Sequence, residues 1–255
     1  MAQTNNQLRL NKFLAERLGV SRREADELIE SKKILIDGQP AKLGAKVDKS
    51  NKVCYNNKIV PFETEFSYLA FHKPVGFLCS RRSQGAPTIY ELLPKKFSHL
   101  KSVGRLDKDS SGLILLTNDG DFAFSMTHPK FRKTKVYEVT LNKPLEPLHQ
   151  QMITDYGIKI GDGLSRFKVI RVEPGTPLSR EFRSAAARGL APAESDPRKM
   201  VFQAQYLVFL TEGRNRQIRR TFAALGYTVT KLHRTQFGKY ELGNLKPGEY
   251  VIIKP

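Results

Sequence analysis

The chain has 255 residues, of which 40% are hydrophobic, enough to fill one large domain or a large domain with a small companion. Lys and Arg number 43 against 25 Asp and Glu, a formal net charge of +18 that points to a polyanionic partner, most often nucleic acid. No apolar run approaches the roughly 20 residues needed to cross a bilayer, and the polar start Met1-Ala2-Gln3-Thr4-Asn5-Asn6-Gln7 lacks a signal-peptide core, so a cytoplasmic protein is expected.

In chain order, Leu10, Phe13, Leu14 and Leu18 recur at helical spacing, and Gly19 can stop that helix. Ser21 reads as the N-cap of a second helix, with Glu24 completing a capping box. Ala25, Leu28 and Ile29 form its apolar face. Lys33 to Ile36 reads as a short strand, Asp37-Gly38 as a hairpin turn, and Lys52 to Tyr55 as another strand. Two short helices and a small sheet, with Leu10-Asn11-Lys12-Phe13-Leu14 leading to Ser21-Arg22-Arg23-Glu24-Ala25, resemble the S-four-type RNA-binding module. Lys12, Arg22, Arg23, Lys32 and Lys33 are its candidate phosphate contacts, which position RNA without reading sequence. Read without the resemblance, they are a solvated helix face.

Residues 8–60 are thus expected to form one domain, 61–67 a linker, and 68–255 a second domain. Tyr68 to Leu78 reads as a strand broken by a Pro-containing turn. Further strands are predicted at Leu113 to Thr117, Val136 to Leu141, Gly157 to Ile160, Phe167 to Val172, Gln203 to Thr211, Val229 to His233 and Tyr250 to Ile253, with a helix from Arg216 to Leu225 closed by Gly226. Many strands with few helices imply an α+β fold around a mostly antiparallel sheet. Glu173 to Lys199, rich in Pro, Ser, Ala and Arg, reads as a flexible insertion, either an RNA-contacting arm or an inert loop. Cys54 and Cys79 form no CxxC pair, Cys79 reads as a core thiol, and the five scattered histidines have no ligand spacing; no metal is expected.

The segment Val103-Gly104-Arg105-Leu106-Asp107-Lys108-Asp109-Ser110-Ser111-Gly112 precedes the apolar run Leu113-Ile114-Leu115-Leu116. It reads as an acidic residue on a loop backed by a buried strand. Arg105 and Lys108 flank Asp107, and cationic neighbours favour a carboxylate. A lone loop Asp is more often a turn or cap residue. The whole segment, however, closely resembles the catalytic motif of the RsuA-type pseudouridine synthases that modify ribosomal RNA. Two further landmarks follow in the family's order, Lys135-Val136-Tyr137-Glu138-Val139 and Leu210-Thr211-Glu212-Gly213-Arg214-Asn215-Arg216-Gln217-Ile218-Arg219-Arg220.

That resemblance implies isomerisation of uridine to pseudouridine without metal or nucleotide cofactor. It assigns Asp107 as the catalytic carboxylate, nucleophile or base. Tyr137 lies against the target base, Arg219 pairs with Asp107, and Ile218 packs beneath the base. Arg105 enters the space left by the extruded nucleotide, since such chemistry requires the base to leave its stack. Arg214, Arg216 and Arg220 read as phosphate contacts near a helix N-terminus. Lys231, His233 and Arg234 extend the basic surface, with His233 solvated or facing RNA, and His72-Lys73-Pro74-Val75-Gly76 supports the cleft. The expected partner is ribosomal RNA or a pre-ribosomal particle, and the expected state a monomer. Two other readings stay open on the residues alone. One is a non-catalytic RNA-binding or ribosome-assembly factor on the same fold. The other is a nuclease using Mg²⁺ held by Asp107, Asp109, Asp119 and Asp121, although the apolar run separates the two pairs.

Overall fold

The structure is a computed structural model that describes residues 7–172 and 204–255. The expected insertion at 173–199 and the start of the strand at Gln203 lie outside the described residues.

Helix α1 (Leu10–Arg17) and helix α2 (Arg22–Glu30) lie beside each other as their apolar spacing requires. Ser21 Oγ accepts the Glu24 amide at 3.1 Å, and Glu24 Oε2 accepts the Ser21 amide at 2.6 Å, so the capping box forms as predicted. Strand β1 (Leu8–Arg9) pairs with β4 (Lys46–Val47). Strands β2 (Ile34–Ile36), β3 (Gln39–Pro40), β5 (Val53–Tyr55) and β6 (Lys58–Ile59) form an antiparallel sheet in the order β3-β2-β5-β6. Asp37 and Gly38 have φ values of 51° and 82°, the two left-handed residues of a tight hairpin. Leu10, Phe13, Leu14, Ala25, Ile29, Ile34, Val47 and Val53 make one core. Phe62 joins it with its ring 4.4 Å from that of Phe13, and Arg17 Nε donates to Phe62 O at 3.1 Å. The stretch read as linker is therefore partly anchored to this first unit.

The second unit is built on a nine-stranded sheet. Its central path is β13 (Lys168–Arg171), β14 (Ala204–Leu210), β10 (Lys135–Leu141), β15 (Val229–Phe237), β9 (Ser111–Thr117), β7 (Tyr68–Lys73) and β17 (Tyr250–Ile252). Strand β8 (Lys101–Val103) pairs with β9, and β16 (Tyr240–Glu241) with β15. All these pairs are antiparallel except β9 with β15, which run parallel. A side hairpin joins β11 (Ile158–Ile160) to β12 (Gly163–Ser165). The run Leu113–Leu116 explains why β9 is central. Successive side chains alternate faces, so Ile114 and Leu116 enter one core with Leu69 and Phe71, while Leu113 and Leu115 enter another with Ala70, Met126 and Phe237.

Several elements differ from expectation. Helix α3 (Gly120–Thr127) was not foreseen; Asp119 caps it by accepting the Asp121 and Phe122 amides. Strand β15 continues four residues beyond His233, to Phe237. The short helix α4 (Pro147–Gln151) was not expected either, and helix α5 (Gln217–Ala224) starts one residue late, because Arg216 takes a left-handed conformation at its N-cap.

The two units meet through side chains. Lys12 Nζ lies 2.6 Å from Asp121 Oδ1 on α3, and Lys101 Nζ donates to Val20 O at 2.5 Å. The Lys12 ammonium thus holds a carboxylate across the interface. Arg22, Arg23 and Lys32 are exposed.

Candidate active site

The loop from Gly104 to Ser110 joins β8 to β9 and is held from below. Leu106 is buried, and its amide meets Cys79 Sγ at 3.4 Å. Lys73, the last residue of β7, is fully buried; its Nζ donates to Ser110 O at 2.6 Å and to Pro74 O at 2.9 Å. Gly76 N–H donates to Lys108 O at 2.8 Å. The His72–Gly76 segment thus supports the loop, with Lys73 as its strongest tie. Burial pushes the Lys73 ammonium down to about 8.

With Leu106 turned into the core, Asp107 faces out, its side chain 29% exposed. It opens into a cleft of about 400 Å³ lined by the loop, by β10 and β15, and by the turn between β14 and α5. Lys135 and Tyr137 share one face of β10 and both line the cleft. So do Leu210, Ile218, Leu232, Arg234 and Phe237. Tyr137 is 7% exposed and stands opposite Arg234 in the β10–β15 register. Arg234 Nη1 is 3.5 Å from Tyr137 Oη, and its Nε donates to Leu113 O at 2.7 Å. Lys135 Nζ donates to Glu212 O at 3.2 Å; burial, with the charge of Arg234, pushes it down to about 8. Arg105 is exposed at the rim.

The arginines after β14 behave differently from the phosphate contacts the sequence suggested. Arg216 forms a two-pronged pair with Asp109, at 3.1 Å for each prong, and reaches Asp107 Oδ2 at 3.8 Å. Arg219 Nε lies 3.3 Å from Asp109 Oδ2, while its two terminal nitrogens donate to Val229 O at 2.8 Å and Asp109 O at 2.9 Å. Arg214 donates to Leu164 O at 2.6 Å, and Arg220 to Asp162 Oδ1 at 2.8 Å, tying the turn to the β11–β12 hairpin. All four guanidinium groups have acceptors within the chain. They clamp the Gly104–Ser110 loop and the hairpin to the start of α5.

Within this clamp the carboxylate facing Arg219 is Asp109, which corrects the expected Arg219–Asp107 pair; Arg216 is the cation that reaches Asp107. Burial would raise the Asp109 carboxyl, but the Arg216 hydrogen bonds and the charges of Arg219 and Arg216 outweigh it and hold it below the usual range. The same pair holds Arg216 at φ 47°, ψ 32°, a conformation that costs a non-glycine residue about 1–2 kcal/mol.

Two further readings are corrected. Arg234 is not part of a basic surface: it is 1% exposed, beneath the cleft, with Nη2 lacking a hydrogen-bond partner among the described residues. His233 is neither solvated nor free to face RNA. It is 1% exposed, with Nδ1 2.8 Å from Ser111 Oγ and its ring 5.2 Å from that of His72. The four carboxylates of the nuclease reading are dispersed: Asp107 and Asp109 face arginines, Asp119 caps α3, and Asp121 holds Lys12.

The site is thus a carboxylate on a braced loop, beside a slot with a tyrosine in its wall. A family model described as RNA pseudouridylate synthase matches residues 67–224, and one described as S4 domain matches residues 8–53. The chain belongs to the RNA pseudouridylate synthase family, and its catalytic fold is preceded by an S4 domain. Over 248 residues it is 34% identical to ribosomal small subunit pseudouridine synthase A of Pasteurella multocida (strain Pm70), covering 95% of this chain and 94% of that one. It is 31% identical over 242 residues to ribosomal large subunit pseudouridine synthase B of Yersinia pestis, covering 92% of this chain and 68% of that one. A crystal structure of a pseudouridylate synthase superposes with a TM-score of 0.62 at 28% identity, covering 97% and 96% of the two chains.

Proposed function

We propose that this enzyme converts particular uridines of ribosomal RNA to pseudouridine, with Asp107 acting on a nucleotide extruded into the cleft. The observation that carries the proposal is the placement of Asp107 at the wall of the one slot that all three sequence motifs line. Net charge and the S4 domain favour an RNA partner. Relatives matched along nearly their whole length are named for the small ribosomal subunit, which favours small-subunit RNA as the first substrate to test.

The reaction breaks the bond from C1′ of ribose to N1 of uracil, turns the base, and joins C1′ to C5. The C5 proton leaves to water, and N1, freed from ribose, takes one up from water. Atoms and electrons balance within the nucleotide, so no redox partner enters. A carboxylate begins either route, by bonding to C1′ or by removing the proton from C2′. Tyr137, Ile218, Leu232 and Phe237 give the detached base an apolar slot that keeps it in place. Arg216 stands near Asp107 as a counter-charge, while Arg219 acts as a positioning residue through Asp109. Arg105, at the rim, fills the vacated stack. Arg22, Arg23 and Lys32 hold RNA phosphates from the S4 domain. The protein acts as a monomer in the cytoplasm, on bare RNA or on an assembling particle.

The test uses unmodified ribosomal RNA transcripts carrying 5-tritiated uridine, bare and in assembled particles, followed by carbodiimide mapping of the product. Wild type releases tritium and leaves a mapped pseudouridine. Asp107→Ala and Asp107→Asn bind RNA but release none above background. Equal release by the variants removes Asp107 from the mechanism. RNA binding by wild type with no release from any transcript or particle leaves a non-catalytic RNA-binding factor.

A further inference from the structure

Beside the cleft lies an aromatic surface to which the reaction gives no task. Phe124 on α3 is 45% exposed, and Phe131, in the turn that follows, is 41% exposed. Their rings meet edge to face with centroids 5.8 Å apart, and the exposed His128 ring lies 4.6 Å from Phe124. Lys130 Nζ sits 5.1 Å from the Phe124 centroid and 4.7 Å from the Phe131 centroid. Two large rings left in water at one spot call for a partner.

Two observations say which partner. The first is charge: residues 122–134 carry Lys130, Arg132 and Lys133 and no carboxylate. The second is continuity. Thr127 and Pro129, from this same segment, line the cleft, and Thr127 lies beside Gly104, next to the rim residue Arg105. This edge is one over which a strand delivering a nucleotide to Asp107 can pass its adjacent nucleotide. Arg105 covers the face of that nucleotide that borders the gap, and its other face is open to the rings. Aromatic rings with nearby cations are the surface on which such a base stacks, whatever its identity.

We propose that Phe124, His128 and Phe131 form a stacking platform for the unpaired RNA base next to the extruded uridine, with Lys130 beside its phosphate. This rests on the reading of the cleft as a uridine site. It adds to that reading a second base-binding position, outside the slot and with no part in the chemistry.

The test compares Phe124→Leu/Phe131→Leu with Phe124→Tyr/Phe131→Tyr in the tritium-release assay on the same transcripts. Leucine keeps apolar volume on an exposed surface, and unchanged melting curves confirm that both variants fold. The Leu pair is expected to raise KM roughly tenfold to hundredfold, the range that stacking of one base supplies. Its kcat stays within about threefold, because binding rather than chemistry is lost. The Tyr pair keeps the wild-type KM. Ultraviolet cross-linking to the transcript places nucleotide adducts on the 121–132 segment of the wild type. A wild-type KM in the Leu pair, or cross-links found only elsewhere, overturns the platform while leaving the enzyme's activity standing. Absence of turnover in wild type instead refutes the cleft assignment and this inference together.

Discussion

Gly112 is where the Asp107 loop becomes β9, and its replacement by alanine tests the whole scaffold of the cleft. Its φ is +109°, outside the range open to residues with a Cβ. A Cβ built there would lie 2.2 Å from Arg234 O, 2.5 Å from Arg234 N and 2.8 Å from Arg234 C. These are backbone atoms of the parallel β9–β15 pair, in which Gly112 stands opposite Arg234, so no side-chain rotation relieves the clash. Backbone strain costs about 1–3 kcal/mol and forced overpacking about 1–3 kcal/mol more, for a sum of about 2–6 kcal/mol. In a domain this size that lowers the melting temperature by roughly 5–20 °C. Gly226 supplies the control: its φ is +78°, but nothing lies within 4 Å of its Cβ position, so alanine there costs only about 1 kcal/mol. Thermal melts of both variants, with tritium release measured well below the transition, separate contact from strain. Gly112→Ala should be the less stable by several degrees and should lose turnover, because β9, Arg234 and the Asp107 loop move together. Equal melting of the two variants, or wild-type turnover in Gly112→Ala, would refute the argument that this close approach sets the site.

Asp109→Asn removes the carboxylate that Arg216 and Arg219 share. The exposed Arg216 half is screened and the mostly buried Arg219 half is not, so stability falls by only about 1–2 kcal/mol while kcat drops roughly tenfold to hundredfold through misplacement of Asp107. Urea melts and single-turnover rates check both; an unchanged kcat would show that the arginine clamp does not position Asp107. His233 gives a pH prediction. Burial, then the charges of His72 and Lys231, push it from 6.5 down to about 3, so the folded chain keeps it neutral where the unfolded chain takes up a proton. Its contribution to stability is therefore intact above pH 6.5 and is lost progressively as pH falls toward 3. The urea midpoint of His233→Gln should decline less than that of wild type between neutral and mildly acidic pH. Parallel declines would sink the assignment.

Elements set by neighbours in the chain were legible beforehand. Ser21 and Glu24 cap α2 through a three-residue loop, and Asp37-Gly38 sets its hairpin by its own dihedral angles. The continuous apolar run marked β9 as a buried strand. Helix α3 was missed because Phe122 and Phe124 alternate like strand residues and its eight residues show no strong apolar face. The signal that could have found it is Asp119, a capping residue just ahead of it.

The site shows the opposite limit. Asp107, Tyr137 and Ile218 were placed by resemblance, and the fold gathers all three around one slot. Arginines and histidines were read as surface because those side chains usually are. That rule fails where a polar strand runs through the middle of a sheet. β15 carries His233 and Arg234 between β10 and β9, so both are buried whatever their chemistry, and Arg234 becomes the floor of the cleft beside Tyr137. Nor could spacing alone tell which Asp an arginine would choose. Asp107 and Asp109 both follow the buried Leu106, and only the left-handed turn at Arg216 directs the guanidinium groups mainly to Asp109. With Asp109 holding the clamp, Asp107 keeps its carboxylate open to the cleft.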